Sequence, residues 1–223
     1  IVSRRQRQMC IRDSGYSDQM QYFKCKDPNK CIWDRLPIAL QEVAIDIERL
    51  PDWIRDVREI VAAHPRTCFP LNGIYFRFGQ ASDSYIGMSA GRETAFVGIE
   101  YTLRQEGKKE PKNYFVNLEI EQMSLRKYDA RPHWGKNSVA IFEDMPSRFP
   151  MWQEFLQAKA ELDPYNVFTN PFWERVSGDI PMDDYLTPGC NVRGECYCQT
   201  DEHCQSGTQC QAGLHFTDAR ICR

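Results

Sequence analysis

The stretch VAIDIERLPDWIRDVREIVAA, residues 43–63, changes its period partway along. Val43, Ile45 and Ile47 alternate with Ala44, Asp46 and Glu48, the period of two that marks a half-buried strand. From Leu50 the spacing lengthens, and Trp53, Val57, Ile60 and Val61 fall on one face of a helix. Pro51 suits the first helical turn, where no backbone donor is needed, and His64-Pro65 stops the pattern.

Working outward, residues 72–78 (NGIYFRF) and 95–102 (AFVGIEYT) are rich in aromatic and β-branched residues and predict two strands joined by a Ser/Gly-containing loop. Residues 114–128 predict a helix with Val116, Ile120 and Met123 on one face, which Leu118 and Leu125 widen. A last helix places Met151, Phe155, Ala158 and Leu162 on one side, and Asp163-Pro164 ends it. This order predicts an α+β domain over residues 36–185, a mainly antiparallel sheet with helices on one face.

The flanks differ in character. Residues 1–35 are polar and turn-rich, an expected linker in which Cys25 and Cys31 enclose a Pro-Asn turn able to bring two sulfurs together. The start, IVSRRQRQMC, has no apolar signal segment, so any targeting peptide is expected to have been removed or to lie upstream. Arg4, Arg5 and Arg7 form either a solvated arm or a place where a longer precursor is cut. Residues 186–223 hold Cys190, Cys196, Cys198, Cys204, Cys210 and Cys222 with few aliphatics, so disulfides must supply what a core cannot. Fifteen pairings are possible. A zinc site using Cys196, Cys198, His203, Cys204 and Cys210 is the rival, but the spacings do not match the paired short knuckles of common zinc modules. No metal is expected, and the cysteine usage points to a secreted or secretory-lumen protein.

With 28 basic and 31 acidic residues the chain carries no broad electrostatic footprint for nucleic acid, and no run of eighteen apolar residues predicts a membrane span. Chemistry has to be sought in single segments. The segment DARPHWGKN, residues 129–137, sets an imidazole, an indole and an ammonium in a loop bent by Pro132 and Gly135. On its own it fits equally a satisfied loop histidine, a core tryptophan and a solvated lysine.

Arg131-Pro-His-Trp-Gly-Lys136, followed by Leu162-Asp-Pro-Tyr-Asn-Val-Phe-Thr-Asn170, resembles the C-terminal signature of the FAD-dependent aldonolactone oxidoreductases of the vanillyl-alcohol-oxidase superfamily. The tail from Gly194 to Arg223 is similar to that of the plant-type gulonolactone oxidases, so the likeness spans approximately residues 35–223. The resemblance implies a substrate, or cap, domain facing a flavin held elsewhere. It implies that His133, Trp134 and Lys136 approach the isoalloxazine, with Lys136 stabilising the negative charge left by hydride transfer and His133 accepting a hydroxyl proton. A Glu-x-Arg pair on a strand of this family corresponds to Tyr75-Phe-Arg77, which keeps the arginine as a substrate-binding and oxyanion-stabilising group but puts tyrosine where a carboxylate is expected. The bland alternative is an Arg77 that merely pairs with a sheet-surface carboxylate.

Between Ile1 and the first strand no glycine-containing pyrophosphate loop is present. The resemblance therefore implies an N-terminal FAD-binding chain of the same precursor as partner, with Cys10 or Cys68 a covalent tie, and a small lactone as substrate. The alternative is a secreted, non-enzymatic binding protein that uses the cap as scaffold and the cysteine-rich tail as its working surface.

Overall fold

The computed structural model describes residues 38–65, 69, 73–102, 114–136, 139–178 and 196–223. The arm over 1–35, the Cys25–Cys31 turn, Cys10, Cys68 and Cys190 lie outside the described residues. Four strands form one antiparallel sheet in the order β2-β3-β1-β4. They are β1 (Ile38–Asp46), β2 (Ile74–Gly79), β3 (Thr94–Thr102) and the two-residue β4 (Arg131–Pro132). β1 pairs with β3 along its whole length, from Ile38 opposite Thr102 to Asp46 opposite Thr94.

The first strand starts earlier than its alternation suggests and stops sooner. Asp46 accepts a hydrogen bond from the Glu48 N–H at 3.0 Å, and the chain turns into a 3-10 segment over Ile47–Arg49. A carboxylate that caps the next helical turn ends the strand although Ile47 keeps the apolar period. Helix α1 (Leu50–Ala63) then runs as expected, with Trp53, Val57 and Ile60 buried.

One face of the sheet is covered by α1 and by α2 (Tyr114–Tyr128). Val43, Val97 and Ile99 from the sheet meet Trp53 and Ile120 there, and the Trp53 indole N–H donates to Ser124 Oγ at 2.8 Å. Side chains alternate along β1, so Glu42 and Ala44 point to the opposite face. α2 is buried from Val116 through Leu125, including Asn117, Glu119, Glu121 and Gln122, because its second side is also covered.

The cover is the cysteine-rich tail. A hairpin of β5 (Cys210–Ala212) and β6 (Arg220–Cys222) is tied by the disulfides Cys198–Cys210 and Cys204–Cys222, and Cys196 is disulfide-bonded as well. Cys198, Cys204 and Cys210 lie within 4.8 Å of one another. Their sulfurs are committed to disulfides, which removes the thiolates that the zinc alternative needs. The Glu119 carboxylate accepts the backbone N–H groups of Leu214, His215 and Phe216 at 3.2, 2.8 and 2.8 Å. Gly213 makes that approach possible, since a Cβ there would stand 2.7 Å from Glu119 Cδ.

Three short helices complete the domain: α3 (Met145–Arg148), α4 (Trp152–Leu162) and α5 (Pro171–Ser177). They carry a run of stacked rings, Phe149 on Trp152 at 6.2 Å and Trp152 on Trp173 at 5.7 Å between centroids. Among the described residues no helix is long and apolar enough to cross a membrane.

Candidate active site

On the sheet face opposite α1 and α2, three side chains from one strand and one turn meet at a single carboxylate, that of Glu42 on β1. Arg77 on β2 donates from Nη2 to Glu42 Oε1. Tyr75, two residues before it on the same face, donates its hydroxyl to Glu42 Oε2 at 3.2 Å. Lys136 donates from Nζ to the same Oε2 at 2.7 Å. β3 lies between β2 and β1, and at the level of Tyr75 and Glu42 it presents Gly98 to both. A Cβ at Gly98 would overlap the Tyr75 ring. The missing side chain is what lets the phenol lie across β3 and reach the next strand.

Lys136 arrives by a turn. The His133 N–H donates to the Glu42 carbonyl at 3.0 Å, extending the β1–β4 pairing by one residue, and the Lys136 N–H then donates back to the His133 carbonyl at 3.2 Å. Trp134 holds this turn from below. Its indole N–H donates to the Ile86 carbonyl at 2.9 Å, and its ring stacks on Phe142 and Phe149 at 5.7 and 5.8 Å. Trp134 is thus packed into the aromatic layer and does not join the Glu42 cluster. Arg131 is likewise structural, donating to the carbonyls of Arg148 and Ala90 at 2.8 and 2.6 Å.

Glu42 is 1% exposed in its side chain, Lys136 27% and Arg77 56%, so the anion is sunk in the sheet and the cations open toward solvent. Burial alone would raise the Glu42 carboxyl. The hydrogen bonds and charges of Lys136 and Arg77 outweigh it and hold the group below its ordinary value, so it is ionised. Burial, followed by the Glu42 charge, raises the Tyr75 phenol, which remains a hydrogen-bond donor. His133 is lowered by burial, with Lys136 and Arg77 adding to the effect against an opposing pull from Glu42, so its ring is neutral at pH 7. The Gly135 N–H donates to His133 Nδ1 at 3.0 Å, which leaves the neutral ring's proton on Nε2. In that tautomer His133 offers a donor at Nε2, the reverse of the hydroxyl-proton acceptor expected from its ordinary pKa.

Arg77, Tyr75, Lys136 and His133 are therefore neighbours. The carboxylate that Tyr75 replaces in its own strand is supplied from two strands away by Glu42. Sequence reasoning passed over it because a glutamate at the edge of an alternating stretch is usually solvated; the one available signal is that it shares the face of Ala44 while Gly98 leaves β3 bare beside it. Among the described residues the buried Glu42 carboxylate faces two cations, an arrangement suited to an oxygen that becomes negative during a reaction.

The chain belongs to the D-arabinono-1,4-lactone oxidase family, whose sequence profile matches residues 32–176, and residues 187–223 match the C-terminal domain profile of L-gulonolactone oxidase 2-like proteins. L-gulonolactone oxidase 3 of Arabidopsis thaliana is 30% identical over 204 residues, covering 86% of this chain and 34% of that protein. The probable truncated L-gulonolactone oxidase 7, mitochondrial, of the same plant is 27% identical over 186 residues, 81% of this chain and 73% of its own length. L-gulono-1,4-lactone dehydrogenase of Mycobacterium tuberculosis is 33% identical over 110 residues, 49% of this chain and 23% of that protein. The chain thus spans about a third of the length of L-gulonolactone oxidase 3 and corresponds to the C-terminal part of the Arabidopsis relatives. Family members and gulonolactone oxidases are generally FAD-dependent.

Proposed function

We propose that this chain is the substrate-side part of an FAD-dependent oxidoreductase that oxidises an aldonolactone of the gulonolactone type to an ascorbate-type product. The observation that carries the reading is the meeting of Arg77 and Lys136 at one buried carboxylate beside a neutral histidine, in a chain of this family. The donor set fits a flavin: its two cations are partly exposed and are held side by side by one buried carboxylate. When bound, FAD supplies the hydride acceptor. The chain's own residues do the rest. Arg77 binds and polarises the substrate oxygens, Lys136 offsets negative charge as it develops, and His133 donates from Nε2 to a substrate oxygen.

The FAD-binding domain belongs to the part of such proteins that this chain does not span. A segment from Leu162 to Phe168 supports a domain contact: Asp163 accepts the N–H groups of Val167 and Phe168 at 2.8 and 3.0 Å, holding in place a loop whose Phe168 is 81% exposed. The disulfides support folding in an oxidising compartment, which we take to be the secretory lumen or the cell exterior.

The test uses the protein assembled with its flavin-binding part and mixed anaerobically with L-gulono-1,4-lactone. Lys136→Met is expected to slow flavin reduction ten-fold or more, about 1.4 kcal/mol in the barrier, with the flavin spectrum unchanged. An unaltered rate returns Lys136 to a solvated role and removes the reading. A colourless single-chain protein from the natural source would favour a binding protein instead.

A further inference from the structure

The established family accounts for Arg77 and Lys136 but says nothing of Glu42. A buried carboxylate can be a structural ion pair and no more, and such pairs are weak evidence for function because desolvation offsets much of the Coulombic gain. The geometry here is unlike an ordinary pair. The carboxylate is 1% exposed while its partners reach into solvent, so the anion has been taken out of water and the cations have not. It faces two cations, one more than neutralisation requires. Each of its oxygens has its own cation, Oε1 taking Arg77 and Oε2 taking Lys136, and the Tyr75 hydroxyl fills the remaining position on Oε2. Tyr75 is itself located by the bare backbone of Gly98. The two cations consequently come from elements far apart in sequence, a sheet strand and a turn, yet their separation is set by a single rigid group.

We infer that Glu42 is the positioning residue of this site: it holds the Arg77 guanidinium and the Lys136 ammonium side by side on its two oxygens so that both address one substrate oxygen. The inference rests on the proposed function for what the cations do, but not for how they are held. Without Glu42 two like charges would repel and the long Lys136 side chain would regain its rotamers, so the charge would still be present but no longer in place.

Two measurements test it, one of them independent of the flavin. In the chain itself, brief acylation with acetic anhydride followed by peptide mass analysis reports the availability of each lysine. Glu42→Gln is expected to raise the labelling rate of Lys136 five-fold or more, while Lys127, held by Asp56 at 2.5 Å, labels as before. An unchanged Lys136 rate overturns the inference. Glu42→Asp, which keeps the charge but withdraws it by one methylene, gives the same test if the glutamine variant does not fold, with at least a two-fold increase expected. In the assembled flavoprotein, Glu42→Gln is expected to lower the flavin-reduction rate at saturating lactone ten-fold or more, with Glu42→Asp recovering part of it. The double variant with Lys136→Met should be slower than Lys136→Met alone by clearly less than the factor that Glu42→Gln costs by itself, because part of the effect of Glu42 passes through the lysine and only the remainder through Arg77. Fully additive losses, or a normal rate in Glu42→Gln, overturn the positioning role. If Lys136→Met itself changes nothing, the functional reading fails, and the labelling result still decides whether Glu42 holds the lysine.

Discussion

The Gly135 N–H reaches His133 Nδ1 at 3.0 Å, so whenever the ring is neutral its proton sits on Nε2. A tight turn has in effect chosen the tautomer. Burial lowers the ring's pKa first of all, and Lys136 and Arg77 add to that against Glu42. The folded value thus lies below the ordinary 6.5, and the sign of the consequence follows: the favourable neutral state is present above 6.5 and is lost as pH falls through the lower folded value. An NMR titration of the His133 ring should find its midpoint below 6.5, with nitrogen shifts of the Nε2-H form at pH 7. A midpoint at or above 6.5 would show that the Glu42 charge outweighs burial and the two cations. Glu42 behaves as the companion case. Its folded pKa is held below the ordinary 4.5, so its ion pairs persist on acidification to that pH and fail only lower.

At the scale of elements, β3 matters most where it has no side chain. Gly98 stands opposite Glu42 on one side and Tyr75 on the other, and the phenol crosses over it. Gly98→Ala should destabilise the domain by about 1–3 kcal/mol through overpacking and displace Tyr75 from Glu42. Adding Tyr75→Ala should recover most of that loss, and chemical denaturation of the two single variants and the double variant measures it. Equal losses with and without Tyr75 would mean that the glycine serves only the backbone. The strands and helices were legible in the sequence because their apolar periods are clear: α1 and α4 run as Trp53 and Phe155 suggest, and β2 and β3 lie within two residues of their expected bounds. In α2, residues Val116, Ile120 and Met123 identify the helix, but nothing local explains why Glu119 and Gln122 are buried too, since the partner lies near the far end of the chain. A motif singles out Arg77, Lys136 and His133 in the sequence. Glu42 carries no such signal, since only the register of three strands brings it under them, and a ring beside reactive groups such as Trp134 looks the same in sequence whether it faces a cofactor or a core.

Across the whole molecule, α2 stands between the sheet that carries Glu42 and the disulfide-tied tail, so the tail's hold on α2 bears on the site. That hold is polar. Glu119 takes three N–H groups from the turn after Gly213, and Gln122 both accepts from the Arg220 N–H at 3.0 Å and donates to the Arg220 carbonyl at 2.9 Å. The disulfides close loops of 12 and 18 residues, for which chain entropy suggests roughly 3 kcal/mol each. They keep the turn in the shape that Glu119 reads. In Glu119→Gln an amide NH₂ would replace one acceptor oxygen and face N–H donors, leaving buried groups unpaired at a cost of about 1–3 kcal/mol. If the bridges and the carboxylate work as one anchor, their effects cannot add: once reduction has released the turn, Glu119 has little left to hold. Urea unfolding of Glu119→Gln and the unsubstituted chain, each with and without reductant, should therefore show a clear loss in the oxidised protein and a much smaller one after reduction. The same loss in both states would mean that Glu119 serves α2 directly, through contacts such as its 3.3 Å approach to His64, and that the tail braces the sheet by packing alone.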